Sequence, residues 1–210
     1  MPDQEHPHNA ADPPADNAAH GAGEISPLII IPPVVIAALL ALLLGVVYNF
    51  TAEPIKQAKL ADKRAKLIEV MPPFANDPLA TAETPAAAEI VVYAGLDENE
   101  QPTGYGITSA VSTGYSGHFA VVFGVQPDGT VEKVRILESM ETPGLGSKAG
   151  APEWLSQFEG RALADFNFAV TKDGGEVDAI TGATITSRAV CDAVRQGLER
   201  FEQESDGGDS

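Results

Sequence analysis

The chain has 210 residues, 44% of them hydrophobic and 20% charged, a balance that suits one folded domain of ordinary size plus appendages. Its net charge of −17, from 30 acidic against 13 basic residues, argues against a nucleic-acid binder, which needs clustered Lys and Arg to neutralise phosphates. The single cysteine, Cys191, excludes an intramolecular disulfide, and with no Cys/His group at ligand spacing no zinc or iron–sulfur site is expected.

Residues 1–26 carry Ala, Pro, Asp and His but no Lys or Arg and almost no large apolar side chain. Such a segment buries too little surface to offset its ordering entropy, so an acidic disordered tail is expected. His6 and His8 fall in it and read as solvated side chains, since a mobile segment holds no preformed metal site. Residues 27–52 contain no charge and include "LIIIPPVVIAALLALLLGVVYNF". About 20 apolar residues cross a hydrocarbon core of roughly 30 Å, which predicts a transmembrane helix. Ser26 and Pro27 suit its start, and Pro32-Pro33 should bend or delay it. A cleaved signal peptide fits poorly, because there is no basic segment ahead and the apolar run is too long. Lys56, Lys59, Lys63, Arg64 and Lys66 follow the span, and by the positive-inside rule alone they would hold the C-terminal part in the cytoplasm.

Residues 53–88 divide into a stalk helix, with apolar residues at near-helical spacing up to Pro72-Pro73, and an Ala/Pro-rich linker expected to be loosely structured. A period of two then begins. "EIVVYAG", "GYGITSAV", "HFAVVFGV" and "VEKVRILE" predict a mostly antiparallel sheet, the last two runs joined by a hairpin at Asp128-Gly129. A glycine-rich loop runs into a short helix around 153–158, where Trp154 and Phe158 read as core or loop anchors. "FNFAVTKDGGEVDAI" predicts another strand pair turning at Asp173-Gly174-Gly175. From Ile185 the pattern is helical, with Val190, Val194, Leu198 and Phe201 on one face and Cys191 as a buried small hydrophobe. Residues 203–210 read as a frayed, disordered tail. A sheet with helices packed on it gives an α+β domain over 89–202.

The stretch "VDAITGATITSRAV" places Thr181, Thr184, Thr186 and Ser187 around Gly182-Ala183 where a loop becomes a helix. One hydroxyl there is explained by capping of an orphan N–H. The cluster as a whole, with Asp178 three residues ahead of Thr181, also suits an anion such as phosphate. Small residues admit a bulky group to the backbone, and the helix start offers N–H donors and the positive end of its dipole. Both readings remain open on the residues alone.

Asp178-Ala179-Ile180-Thr181-Gly182-Ala183-Thr184 resembles the D-x-x-[ST]-G-A-T pattern of the FMN-binding domains found in the G-subunit of Rnf electron-transport complexes and the C-subunit of the sodium-pumping NADH:quinone reductase. "ETPGLGSK" at 141–148 is similar to the families' second glycine-rich loop, and with the single span the resemblance covers most of 28–202. It implies FMN held covalently on Thr184 through a phosphoester, attached by a flavin transferase of the ApbE type that uses FAD as donor. Thr181, Gly182, Ala183, Thr186 and Ser187 would surround the phosphate, and Asp178 would serve recognition by the transferase. The loop from Thr142 to Gly146 is the candidate for lying against the flavin ring, because Gly144 and Gly146 permit close approach and Leu145 supplies an apolar contact, with Glu141 just ahead of it among the cofactor-binding residues; the alternative is a plain surface turn.

The length, the single span and "DAITGATITSRAV" look more like the Rnf protein. The resemblance then implies an anchored electron relay without a complete active site of its own, in an ion-translocating complex that moves electrons between ferredoxin and NAD. Its partners would be the other membrane and soluble subunits. The alternatives are an anchored FMN-binding regulatory or adaptor domain, which could act with Thr184 unmodified, and the quinone reductase protein. The flavin domain would sit outside the cytoplasm, on the periplasmic side of the inner membrane. Glu53, Asp62 and Glu69 dilute the basic cluster that points the other way, and long domains translocate largely regardless of charge. One departure stands out: where these families often carry His two residues before the acidic position, this chain has Ser139.

Overall fold

A computed structural model describes residues 27–81, 89–144 and 146–207. The readings of residues 1–26 as a tail, of 82–88 as the rest of the linker and of 208–210 as a tail lie outside the described residues. The chain divides into two compact units, Met1–Glu53 and Pro54–Ser210.

Helix α1, Pro27–Val70, contributes to both units. In the first, its apolar side chains face outward from end to end; Leu44 is 68% exposed and Phe50 79% exposed. The most apolar stretch of the helix has a mean hydropathy of 2.9 and is buried nowhere, so α1 is long and apolar enough to cross a membrane. Pro32 and Pro33, expected to bend or delay the helix, lie inside it, after its first turn.

The second unit is built on an antiparallel sheet in the order β1-β2-β3-β4: β1 Ile90–Leu96, β2 Pro102–Gly114, β3 Gly117–Val125 and β4 Val131–Ser139. This is the sheet the period of two implies. The β3–β4 hairpin turns at Asp128-Gly129: Gly129 has φ +88°, and Asp128 Oδ1 accepts from the Thr130 N–H at 2.9 Å. That backbone bond, with the Thr130 side chain, lowers the Asp128 carboxyl below its ordinary value.

Helix α4, Thr184–Gly207, covers one face of the sheet. Val190, Val194, Leu198 and Phe201 are all buried, as their spacing predicts, against Ile107, Phe119, Phe123 and Val134. Each such side chain contributes roughly 1.5–3 kcal/mol of burial. Cys191 is buried in the same layer, where burial and then Asp192 push its thiol up to about 12. A thiol that is neither ionised nor accessible is inert. We expect a disulfide reagent to modify Cys191 only after denaturation, and rapid labelling of the native protein would contradict this packing. The expected frayed tail is helical as far as Gly207, supported by Arg200–Glu204 one turn apart at 2.7 Å.

The opposite face is where expectation and structure differ. The end of the segment read as a stalk joins a second core: Leu67, Val70 and Met71 pack with Val91, Tyr93 and Val122. Beyond it, Asn76 donates to the Ala94 carbonyl at 3.0 Å and accepts from the Leu96 N–H at 2.9 Å, serving the open edge of β1 as a strand would. A four-residue helix α2, Pro78–Thr81, follows. The first part of the linker is therefore docked, because the sheet edge supplies polar partners that composition does not reveal.

The expected strand pair in 166–180 is replaced by a wound loop. Val170 and Val177 form an isolated parallel bridge, and a single 3₁₀ turn, Thr171–Asp173, closes on Gly174 at φ +83°. The Gly174 and Gly175 N–H groups return to the Thr171 and Val170 carbonyls within this turn. The two arms are joined by bonds from the Thr171 N–H to the Val177 carbonyl, the Val177 N–H to the Ala169 carbonyl and the Glu176 N–H to the Asn167 carbonyl, a short parallel pairing in place of a hairpin ladder. Helix α3, Pro152–Leu155, and the 3₁₀ turn Ser156–Phe158 fill the expected short helix. Phe158 is buried there, and its ring meets that of Trp154 in a T-shaped contact with centroids 5.6 Å apart.

Candidate functional site

The site begins in the chain entering α4. Ile180 to Ala183 form a turn closed by the Ala183 N–H on the Ile180 carbonyl at 2.9 Å, with Gly182 in its third position at φ +82°. A turn of this kind requires positive φ there, which glycine supplies without strain. The Ser187 hydroxyl fastens turn to helix. It accepts from the Ile180 N–H at 3.0 Å and donates to the Ala183 carbonyl at 3.1 Å, fully buried. Ser187, inside the first turns of α4, thus neither caps the helix nor has a free hydroxyl for the phosphate contact its motif position implies; its hydroxyl is already committed to the backbone of the turn. Thr184, the first residue of α4, is half-buried, and its hydroxyl holds no hydrogen bond among the described residues.

Asp178 lies just upstream with its main chain held at both ends. Its N–H donates to Gln157 Oε1 at 2.8 Å, and its carbonyl accepts from the Trp154 indole N–H at 2.7 Å. The side chain is exposed, so the backbone is fixed while the carboxylate remains available.

The second loop leaves β4 and is organised by Glu141. One carboxylate oxygen accepts from the Thr186 hydroxyl at 3.0 Å, and the other faces the Ser116 N–H at 3.4 Å. Thr186 is buried, so its hydroxyl serves this loop contact. Ser139 accepts from the Glu141 N–H at 3.2 Å, which gives it a part in the turn. Gly144 has φ +82° and donates to Ser147 Oγ at 2.9 Å.

Between the two loops lies a cavity of about 650 Å³. One wall is Glu141, Thr142 and Gly146; the other is Gly182, Ala183, Thr184, Ile185 and Thr186. Two stretches separated by some forty residues of sequence thus meet around one space, within the roughly 300–1,000 Å³ typical of cofactor sites. Thr181, Gly144 and Ser187 belong to the same loops but do not line the cavity. Leu145, expected as an apolar contact, lies outside the described residues.

Three lining residues escape sequence reasoning. Ile185 reads there only as the start of a helix. Tyr115 stands in the two-residue connection between β2 and β3, 70% exposed, and an aromatic between glycines in "TGYSG" is the available signal. Lys172 comes from the 3₁₀ turn whose sequence reads as a hairpin. Its neighbour Asp173 is clamped by Arg188 of α4 at 2.6 and 2.7 Å. That hydrogen-bonded pair lowers the Asp173 carboxyl and raises the Arg188 guanidinium from their ordinary values. Among the described residues no cluster of His, Cys, Asp and Glu could hold a metal ion.

A family model for the FMN-binding domain matches residues 114–199, which contain both loops of this cavity, Tyr115 and Lys172. The chain is 33% identical over 173 residues to the G-subunit of the ion-translocating oxidoreductase complex of Vibrio atlanticus, covering 77% of this chain and 83% of that protein. With the corresponding protein of Cereibacter sphaeroides it shares 36% over 178 residues, 78% of each chain. With that of Methanosarcina acetivorans it shares 33% over 175 residues, 81% of this chain and 92% of the other. The crystal structure of Shewanella oneidensis NqrC is similar over 60% of this chain and 73% of that one, with a TM-score of 0.41 and 22% identity. Identity above 30% sustained over most of both sequences, in relatives as far apart as these, places the chain in the G-subunit family of ion-translocating oxidoreductase complexes.

Proposed function

We propose that this chain is a membrane-anchored flavoprotein that carries FMN on Thr184 and relays electrons within an Rnf-type ion-translocating complex. The observation that carries the reading is the position of Thr184. An uncommitted hydroxyl opens α4 on the wall of a cavity of cofactor size, inside the FMN-binding match. The residues present suit that cofactor. Gly182 keeps the approach to Thr184 clear of a side chain, the start of α4 favours an anion, and Tyr115 and Ile185 offer apolar surface to a ring. FMN, when bound, supplies the reversible redox chemistry; the chain supplies position and local electrostatics.

Attachment is a phosphoryl transfer with FAD as donor. The Thr184 oxygen forms the new bond to the FMN phosphorus, the pyrophosphate bond to AMP breaks, and AMP leaves with the proton lost by the hydroxyl. A threonine hydroxyl is a weak nucleophile, so a separate flavin transferase must activate it. The exposed carboxylate of Asp178, on a backbone fixed by Trp154 and Gln157, is the feature that transferase recognises. Asp178→Ala should therefore yield a folded domain flavinylated at least about tenfold more slowly, the loss of one good charged contact. An unchanged rate would return Asp178 to a structural role.

The anchor is the apolar part of α1, and the second unit lies on the outer face of the membrane with the transferase that loads it. Protease added to intact spheroplasts should digest the fluorescent domain together with a known external protein. Protection until lysis would reverse the orientation. The functional reading is tested by isolating the full chain with its complex. It should show in-gel flavin fluorescence and a flavin absorbance bleached by dithionite, and a flavin-free chain in an active complex would refute the relay.

A further inference from the structure

Resting on the flavin site just proposed, we propose that Lys172 is the countercharge of the cofactor phosphate, which fixes the direction in which the flavin lies in the cavity. The charges around the space are few and unequal. Glu141 is the acidic lining residue, and it sits at the wall formed by the second loop, bonded to Thr186. Lys172 is the basic one, and among the described residues it holds no ion pair. Arg188, one helical turn beyond Thr184, would be the obvious alternative. Its guanidinium is already engaged by the Asp173 carboxylate through two hydrogen bonds, so its charge is matched.

The same clamp explains how an exposed lysine is held at the cavity. Asp173 and Lys172 are adjacent in a tight 3₁₀ turn, and tying Asp173 to α4 brings the turn against the first helical turn where Thr184 stands. A phosphoester on Thr184 carries one negative charge. Placed toward Glu141 it would meet a carboxylate; placed toward Lys172 it meets an ammonium that holds no ion pair and whose nearby carboxylate, Asp173, is already engaged by Arg188, in a chain whose net charge is −17. The phosphate end therefore lies on the Lys172 side. The ring is left the space bounded by Tyr115, Thr142 and Gly146.

The test compares the full chain in detergent, made with and without the FAD-dependent flavin transferase, by acetylation of lysines and peptide mass spectrometry. Flavinylation should lower acetylation of Lys172 at least about fivefold and leave exposed Lys56 unchanged, as expected of a charge-assisted contact. Lys172→Arg should accept FMN at close to the normal rate. Lys172→Glu should be about tenfold slower with a melting temperature close to the normal one, because the exposed side chain holds no hydrogen bond or ion pair in the flavin-free fold and only a solvent-screened attraction to Asp173 is lost. FMN found on Thr184 with Lys172 acetylated equally in both forms would overturn this inference alone, whatever Lys172→Glu does. Absence of FMN from the Thr184 peptide would overturn the site reading and this inference with it.

Discussion

Replacing Thr184 by alanine should remove the covalent flavin proposed for it and leave the domain folded. The side chain is half-buried, and its hydroxyl holds no hydrogen bond among the described residues, so the fold loses little with it. Alanine is a good helix former at the first position of α4, and the fastening of that end depends on Ser187. The stability change should stay within about 0.5 kcal/mol. Flavin incorporation should then be all or none, because the proposed phosphoester would have no other oxygen to form on at that position. In-gel fluorescence should fall to background while the thermal melt is retained, and Thr184→Ser, which keeps an oxygen at the same place, should restore labelling. The neighbouring hydroxyls are poor substitutes: Thr186 and Ser187 are buried and bonded to Glu141 and the Ala183 carbonyl. Covalent flavin persisting in the alanine variant would point to exposed Thr181 and move the attachment point.

Gly124→Val has the opposite profile, a large effect on the fold. A Cβ on Gly124 in β3 would collide with the Val70 carbonyl oxygen and stand 3.2 Å from Met71 Cα. Both are backbone atoms, so no rotamer change relieves the clash, and the end of α1 must leave the sheet. Overpacking a tight contact costs about 1–3 kcal/mol, and this backbone collision belongs at or above the top of that range. Detachment would also expose Leu67, Val91, Tyr93 and Val122, which fill the second core. A urea titration followed by circular dichroism should show a markedly lower midpoint for the variant. Flavinylation well below the melting temperature should survive, because the cavity is built on the α4 side. An unchanged midpoint would mean that the end of α1 does not rest on β3.

How much of this was legible in the sequence depended on the range of the interaction. The buried stripe of α4 and the Asp128-Gly129 hairpin follow from local periodicity and turn chemistry, and both appear where the spacing places them. The two loops of the site were recognisable as motifs, but their meeting was not. Glu141 and Thr186 touch only because β4 and α4 deliver their ends to the same edge of the domain. Ser187 shows the limit of composition. In sequence it is one more hydroxyl in a cluster; in the fold it is a buried fastener of the turn. Lys172 and Tyr115 had no spacing relation to Thr184, and the loop that carries Lys172 closes through a parallel bridge that no hairpin rule anticipates. The docked end of the stalk was hidden for the same reason, since Leu67 and Val70 look like any helix face until Gly106 and Gly124 open room for them on the sheet.

The most direct measurement is peptide mass spectrometry of the chain purified from its native membrane, with fragmentation that localises the modification. Covalent FMN on Thr184 predicts a peptide containing that residue heavier by one FMN less one water, with the fragment series placing the added mass on Thr184 itself. An unmodified Thr184 peptide recovered in full yield from a flavin-competent cell, or the mass placed on Thr181, would contradict it.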